Sequence, residues 1–285
     1  MILTPLLAAA ALQAGPALDI DNYVGEIRIV EGESLSARVV RAGDGAPPQT
    51  VLEDGVLRLD GGVSVRNWRC RNRWGGDLRL GPRRGELRPL EAYPLIEITA
   101  PAGAALTVSD AIVFGTAGAL GPVDVSLASC GDLDIASVDG DARLSVSGSG
   151  DVTLGAVSGV ATVRLSGSGD VEFQSASRLD AAVSGSGDVE GGDIAGPADI
   201  AVSGSGDVTL GDVERLAMRA SGSAEVAIGD APGGVRVSIS GSGELDFGAA
   251  GGLDASISGS GDITGTRVDG PFESAVSGSG DVRVD

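Results

Sequence analysis

Between residue 128 and the last residue the chain returns nine times to one short phrase, at an interval that hardly varies. Ser-Gly-Ser-Gly-Asp occupies Ser147–Asp151, Ser166–Asp170, Ser184–Asp188, Ser203–Asp207, Ser258–Asp262 and Ser277–Asp281. Ser221–Glu225 and Ser240–Glu244 are acidic variants, and Ala128-Ser129-Cys130-Gly131-Asp132 is a degenerate first copy. The closing acids are separated by 19, 19, 18, 19, 18, 19, 18 and 19 residues. A period near 20 is the signature of a solenoid, in which each repeat buries its apolar face only against its neighbours.

Apolar residues keep step with the phrase. Counting from the residue before its first serine, position zero holds Val146, Leu165, Val183, Val202, Ala220, Ile239, Ile257 and Val276. Position −2 holds Leu144, Val163, Ala181, Ile200, Met218, Val237 and Ala255, and position +6 an aliphatic residue in every full copy. Position +8 holds Leu154, Phe173, Leu210, Ile228 and Phe247, with Gly191 and Gly265 as exceptions, and +11 is again aliphatic. Spacing by two means short strands with one face buried, and the same offset in every copy means that those residues stack into columns. The offsets are constant up to +11, so the nineteenth residue belongs to the turn that follows. Left-handed hexapeptide helices repeat their apolar residues every six, which these offsets do not. The expected fold is therefore all-β, a single-stranded right-handed parallel β-helix with 18–19 residues per coil. A further coil is read upstream, because Leu106 and Val108 precede Val125 and Leu127 by 19 residues. About ten coils over 101–285 would make a rod roughly 45–50 Å long.

The rest of the chain divides into three parts. Residues 1–14, apolar and ending in small residues, resemble a secretory signal without its basic start, and are too short to span a bilayer. Residues 15–100 hold alternating segments such as Glu26–Val30, Val56–Leu59 and Leu95–Ile98 between turns such as Asp54-Gly55, expected to form an irregular β cap or first coils. Within them, 66–88 is an arginine-rich insert. No later stretch is apolar enough for a membrane helix. Export to the periplasm or surface of a bacterium is expected.

Composition removes several chemistries. There is no histidine and no lysine, so imidazole triads, Schiff bases and P-loop lysines are excluded. A net charge of −20 repels nucleic-acid phosphates. Every full coil is 18 or 19 residues long, which leaves no loops to wall a catalytic cleft, and the chain is read as a non-enzyme.

Three candidate sites remain. The acids Asp151, Asp170, Asp188, Asp207, Glu225, Glu244, Asp262 and Asp281, with Asp132 before them, form one column. At a coil spacing of about 4.8 Å, each neighbouring pair repels by about 0.9 kcal/mol in bulk water. Bound Ca²⁺, raised pKa values or hydrogen bonds from turn amides would relieve this. The second site is Arg66, Trp68, Arg69, Arg71, Arg73 and Trp74. Residues 66–88 carry eight arginines against two acids, whereas 89–285 carry eight against 29. Arginine with tryptophan suits an anionic glycan or lipopolysaccharide; the alternative is a loop folded back on its own acidic rod. Third, Cys70 and Cys130 are the only cysteines, one disulfide in an oxidising compartment or else two free thiols.

The segment Val24-Gly25-Glu26-Ile27-Arg28-Ile29 followed by coils carrying Ser-Gly-Ser-Gly-Asp-Val resembles the auto-transporter adhesin head GIN domain family. The resemblance implies a right-handed β-helix in an exported bacterial protein with an adhesive or cell-surface role, and no catalytic residues. No membrane barrel follows Asp281–Asp285, so the chain is not expected to be an auto-transporter by itself. Two functions are expected from this reading: a binding or adhesion module, or a structural envelope protein that forms homo-oligomers.

Overall fold

The computed structural model describes residues 15–72 and 78–285. The signal-like segment 1–14, Arg73 and Trp74 lie outside them. The chain forms a parallel β-solenoid. Apart from one 3-10 turn at Leu90–Ala92, every regular element among the described residues is a strand.

The coil is set by the alternation already visible in the sequence. Strand Ala142–Gly148 buries Ala142, Leu144 and Val146, and strand Asp151–Val157 buries Val152, Leu154 and Val157. The glycine corner lies between them. Each strand pairs in parallel with its equivalent one coil on, Leu144 beside Val163 and Val146 beside Leu165, so like residues meet like and the columns run unbroken. The step is 19 residues up to the pair Ile194 and Val213 and 18 from Pro197 and Arg215 onward, which places the variable residue in the corner between them. Two ladders of stacked strands thus enclose one apolar interior, each buried aliphatic contributing about 1.5–3 kcal/mol. The two glycines in the +8 column follow from this stacking. A Cβ on Gly191 would lie 2.5 Å from the Phe173 ring and 2.8 Å from Leu210, and Gly265 sits against the Phe247 ring in the same way. The phenylalanine of one coil fills the space of its neighbour.

The phrase corner needs glycine for two different reasons. Its first glycine has positive φ in all eight copies that carry it, +147° at Gly167 and +152° at Gly204, and Ser129 takes +83° there in the degenerate copy, a region that glycine enters most cheaply. The second glycine has no such φ in the full copies; there a side chain is opposed by the carbonyl of the coil below, most tightly at Gly169 over Gly150 and least at Gly150 over Gly131. Ala224 occupies this second position and is buried. The second serine donates its amide to the first glycine's carbonyl one coil earlier, as from Ser168 to Gly148 at 2.7 Å.

The N-terminal region supplies the first coils and two closing strands, and it stacks out of chain order. Strands β1 (Ala17–Asp21) and β2 (Val24–Glu31) form one coil, and β5 (Val56–Asp60) and β9 (Leu95–Ala100) form another. β5 lies on β1 and β9 on β2, while β1 and β2 both lie on β10 (Ala105–Leu120). The later segment is therefore outermost. Two strands close it in antiparallel fashion: β3 (Ser36–Arg41) on β9 and β4 (Gln49–Glu53) on β5. The β4–β5 hairpin turns at Asp54-Gly55, both with positive φ, as a two-residue turn requires.

The register expected for the upstream coil needs correction. Leu106 pairs with Val123 and Val108 with Val125, and the register then shifts so that Ala111 meets Leu127. Asp110, at φ +42°, takes up the irregularity. The 19-residue spacing of Leu106 and Val108 failed here because this corner is not built on the glycine phrase.

The arginine-rich insert forms a separate small sheet of β6 (Trp68–Asn72), β7 (Leu78–Pro82) and β8 (Arg88–Pro89), all antiparallel.

Candidate functional site

The insert leaves the outermost coil between β5 and β9 and folds back along the corner edge of the rod. Val65 and Leu80 of this strap are buried against Val24, Ile112 and Cys130, which belong to the corners of three coils. Cys130 stands where later coils carry the second serine, and it is bonded to Cys70 with the Cα atoms 6.3 Å apart. The link closes a separation of 60 residues, for which loss of chain entropy in the unfolded state stabilises by about 4 kcal/mol.

Strand alternation sorts the candidate residues onto two faces. Trp68 and Cys70 point inward with Leu80. Trp68 stands edge-on to Tyr93, ring centroids 5.8 Å apart at 62°, and the Tyr93 hydroxyl donates to the Leu80 carbonyl at 2.9 Å. Burial raises the Tyr93 pKa. Trp68, Tyr93, Pro47, Pro48, Asp60 and Arg88 line a cleft of about 300 Å³. On the opposite face Arg69 and Arg71 are exposed, and Arg71 lies directly across from Arg79. Like charges opposite one another in a sheet are unfavourable. Among the described residues none of the three joins an ion pair, whereas Arg88, on the inner side, bonds Asp44. Arg66 is exposed in the turn before β6. The structure therefore brings Arg69, Arg71 and Arg79 together and separates Trp68 from them. The period-two alternation Trp-Arg-Cys-Arg carried that signal in the sequence; Arg79 could be added only from the cross-strand register.

The acid column is held by the backbone. The amides of Asp170, Asp188, Asp207, Glu225 and Asp281 each donate to Oδ1 of the aspartate one coil earlier, at 2.9–3.1 Å. After a glutamate this bond is absent: the amide of Glu244 goes to the Ala224 carbonyl at 2.8 Å and that of Asp262 to the Gly243 carbonyl at 3.1 Å. A second acid run, unnoticed in the sequence though it keeps the same period, is built likewise. Asp212 donates its amide to Asp193, Asp230 to Asp212 and Ala249 to Asp230, at 2.7–3.0 Å. Repulsion persists where these bonds are missing. Burial, then Asp134 and Asp151, raise the pKa of Asp132; burial, then Asp246, Glu225 and Asp262, raise that of Glu244. Among the described residues no group of three or more acids or cysteines is placed to hold a metal ion.

Residues 121–232 and 195–267 match the family described as putative auto-transporter adhesin, head GIN domain. The chain belongs to this family. The head GIN match takes in every glycine corner but the last, at Ser277–Asp281, and the strap lies before it. A solved structure, that of a putative lipid binding protein from Parabacteroides distasonis ATCC 8503, is similar to the chain at 17% identity and a TM-score of 0.42, covering 95% of this chain and 94% of that one. No curated protein matches this head GIN chain. Among its described residues no helix is long and apolar enough to cross a membrane.

Proposed function

We propose that this head GIN chain is an exported, non-catalytic binding module of the bacterial cell envelope, in which the strap contacts an anionic glycan such as lipopolysaccharide and the rod serves as spacer. The observation that carries this is the outward face of the strap, where Arg69, Arg71 and Arg79 are gathered against their mutual repulsion. Such a cluster lowers its energy when an anion settles between the guanidinium groups, each able to offer a two-pronged donor to phosphate or carboxylate. The disulfide supports the reading, because a pinned sheet loses little freedom when it binds. The acidic remainder of the chain keeps polyanions away from every surface but this one. The signal-like segment 1–14 and the family's adhesin-like description support export.

The test is binding of the purified chain to a glycan and lipopolysaccharide array, with calcium and with EDTA. The triple variant Arg69→Ser, Arg71→Ser, Arg79→Ser should lose about tenfold or more in affinity for any anionic hit. An array blank for anionic ligands, or a hit unaffected by the triple variant, rejects the reading.

A further inference from the structure

The exposed large apolar residues of the described chain are Val39, Val40, Val51, Leu52, Phe272 and Val276. All six lie on strands at the two ends of the rod. Val39 and Val40 are on β3 and Val51 and Leu52 on β4, at one end; Phe272 and Val276 are on Phe272–Gly278, at the other. Among the described residues the sides of the rod expose none.

Four of the six belong to the interior. Leu52 pairs with Leu57 and Val39 with Ile96, both core positions, so Leu52 and Val39 face the interior. Phe272 continues the column of Leu253, and Val276 that of Ile257. They are exposed only because no coil lies over them. Both ends are also open sheet edges, with backbone donors and acceptors along β3 and β4 and along Phe272–Gly278 and Asp281–Val284. Natural proteins blunt such edges with outward charge. Here the two arginines of β3 are each paired within their own molecule, Arg38 with Glu97 and Arg41 with Glu26, and Arg38 stays exposed.

We propose that these two ends join head to tail, a second copy of this chain laying its Phe272–Val284 edge on β4 and β3 and continuing both ladders from one molecule into the next. The registers fit. The column through Leu57, Leu18, Leu106 and Val123 runs the length of the rod to Leu253 and Phe272, so Leu52 of one copy falls over Phe272 of the other. Thr50, two residues before Leu52 and paired with Leu59, falls over Ser274 by the same count. In the other ladder Val39 falls over Val282 and Ala37 over Val284, continuing the columns of Ile263 and Gly265. Apolar residues meet apolar ones and hydroxyl meets hydroxyl. Arg41 falls over Asp281, an opposite-charge pair. Because β3 and β4 run against the other strands, the junction is antiparallel, which is the slightly more stable pairing. Two different surfaces are joined, so the contact is heterologous and repeats along the axis as a filament. The inference stands independently of the glycan reading.

Two measurements on the full chain test it. First, purified Thr50→Cys and Ser274→Cys variants are mixed under mild oxidation. A cross-linked species containing one of each, formed in the mixture and from neither alone, supports the junction; a variant that links to itself overturns it. Second, the sedimentation coefficient of the unaltered chain should rise with concentration, and Leu52→Lys or Phe272→Glu should move that rise to at least about tenfold higher concentration. Both positions are already exposed, so folding is spared. A chain that stays monomeric throughout, whether its ends are bare or covered by another segment, overturns the proposal. So does a rise that survives both substitutions.

Discussion

Asp207 donates its backbone N–H to Oδ1 of Asp188 at 2.9 Å. The two carboxylates are neighbours in a column of like charge, yet the bond makes the side chain of one a structural partner of the next coil. A carboxylate that accepts an amide gains enough to offset the repulsion of about 0.9 kcal/mol per neighbour in water. The repeated acid is thereby explained as corner chemistry.

Asparagine at 188 keeps an acceptor and removes a charge, whereas alanine removes both. Asp188→Asn should match or exceed the parent stability, and Asp188→Ala should lose about 1 kcal/mol. Urea unfolding monitored by circular dichroism measures both; an alanine variant as stable as the parent would show that the amide bond contributes nothing.

The two glycines of the phrase should differ in tolerance. Gly204 has φ +152° and its Cβ would meet the Gly185 carbonyl, so Gly204→Ala should cost about 2 kcal/mol or more. Ala224 already occupies the second position, and Ala224→Gly should cost at most about 1 kcal/mol. Comparable losses at the two sites would contradict the assignment of the positive φ.

Loss of the strap's covalent link should show as stability. Cys130→Ser, or reduction by dithiothreitol, should lower stability by about 2–4 kcal/mol. Glycan binding through the arginine face should weaken as well, since the face would no longer be held in one orientation. A melt unchanged by the reductant would mean that the bond is absent in solution.

The raised carboxyls give a pH dependence of definite sign. Asp132 and Glu244 hold their protons in the folded chain at pH values above their ordinary 3.8 and 4.5. Between those values and the raised ones the folded state binds more protons than the unfolded, so stability increases as pH falls. The melting temperature should therefore climb as pH is lowered from 7 into this window. Glu244→Gln should raise it at pH 7 and flatten the slope. A melting temperature that falls steadily from pH 7 downward would refute this.

Chelation should leave the melt in place. Five amides already occupy one oxygen of the preceding aspartate along the column, and the described acids form no cluster suited to a metal. A drop in melting temperature with EDTA, reversed by calcium, would return the column to the role of a cation ladder.

The columns were legible because parallel in-register stacking places one offset over itself in every coil. Val146, Leu165 and Val183 declare the interior by spacing alone, and the glycine phrase marks its corner. The exceptions at Gly191 and Gly265 were visible but unexplained, since the filling rings belong to other coils. The three acids Asp193, Asp212 and Asp230 were as periodic as the phrase and needed only a second search at its interval.

By itself the sequence determined the coil: its length, its apolar columns, its fixed and variable corners, and the charge contrast between the strap and the rod. These are local patterns repeated, and repetition supplies the register. Only the tertiary structure decided that β5 and β9 stack outside β1 and β2, that Arg79 joins Arg69 and Arg71 while Trp68 turns inward, and that the exposed apolar residues collect at the two ends. Each of these depends on pairing between segments that share no repeated phrase. Such pairing is chosen by the burial available when the whole chain has closed on itself.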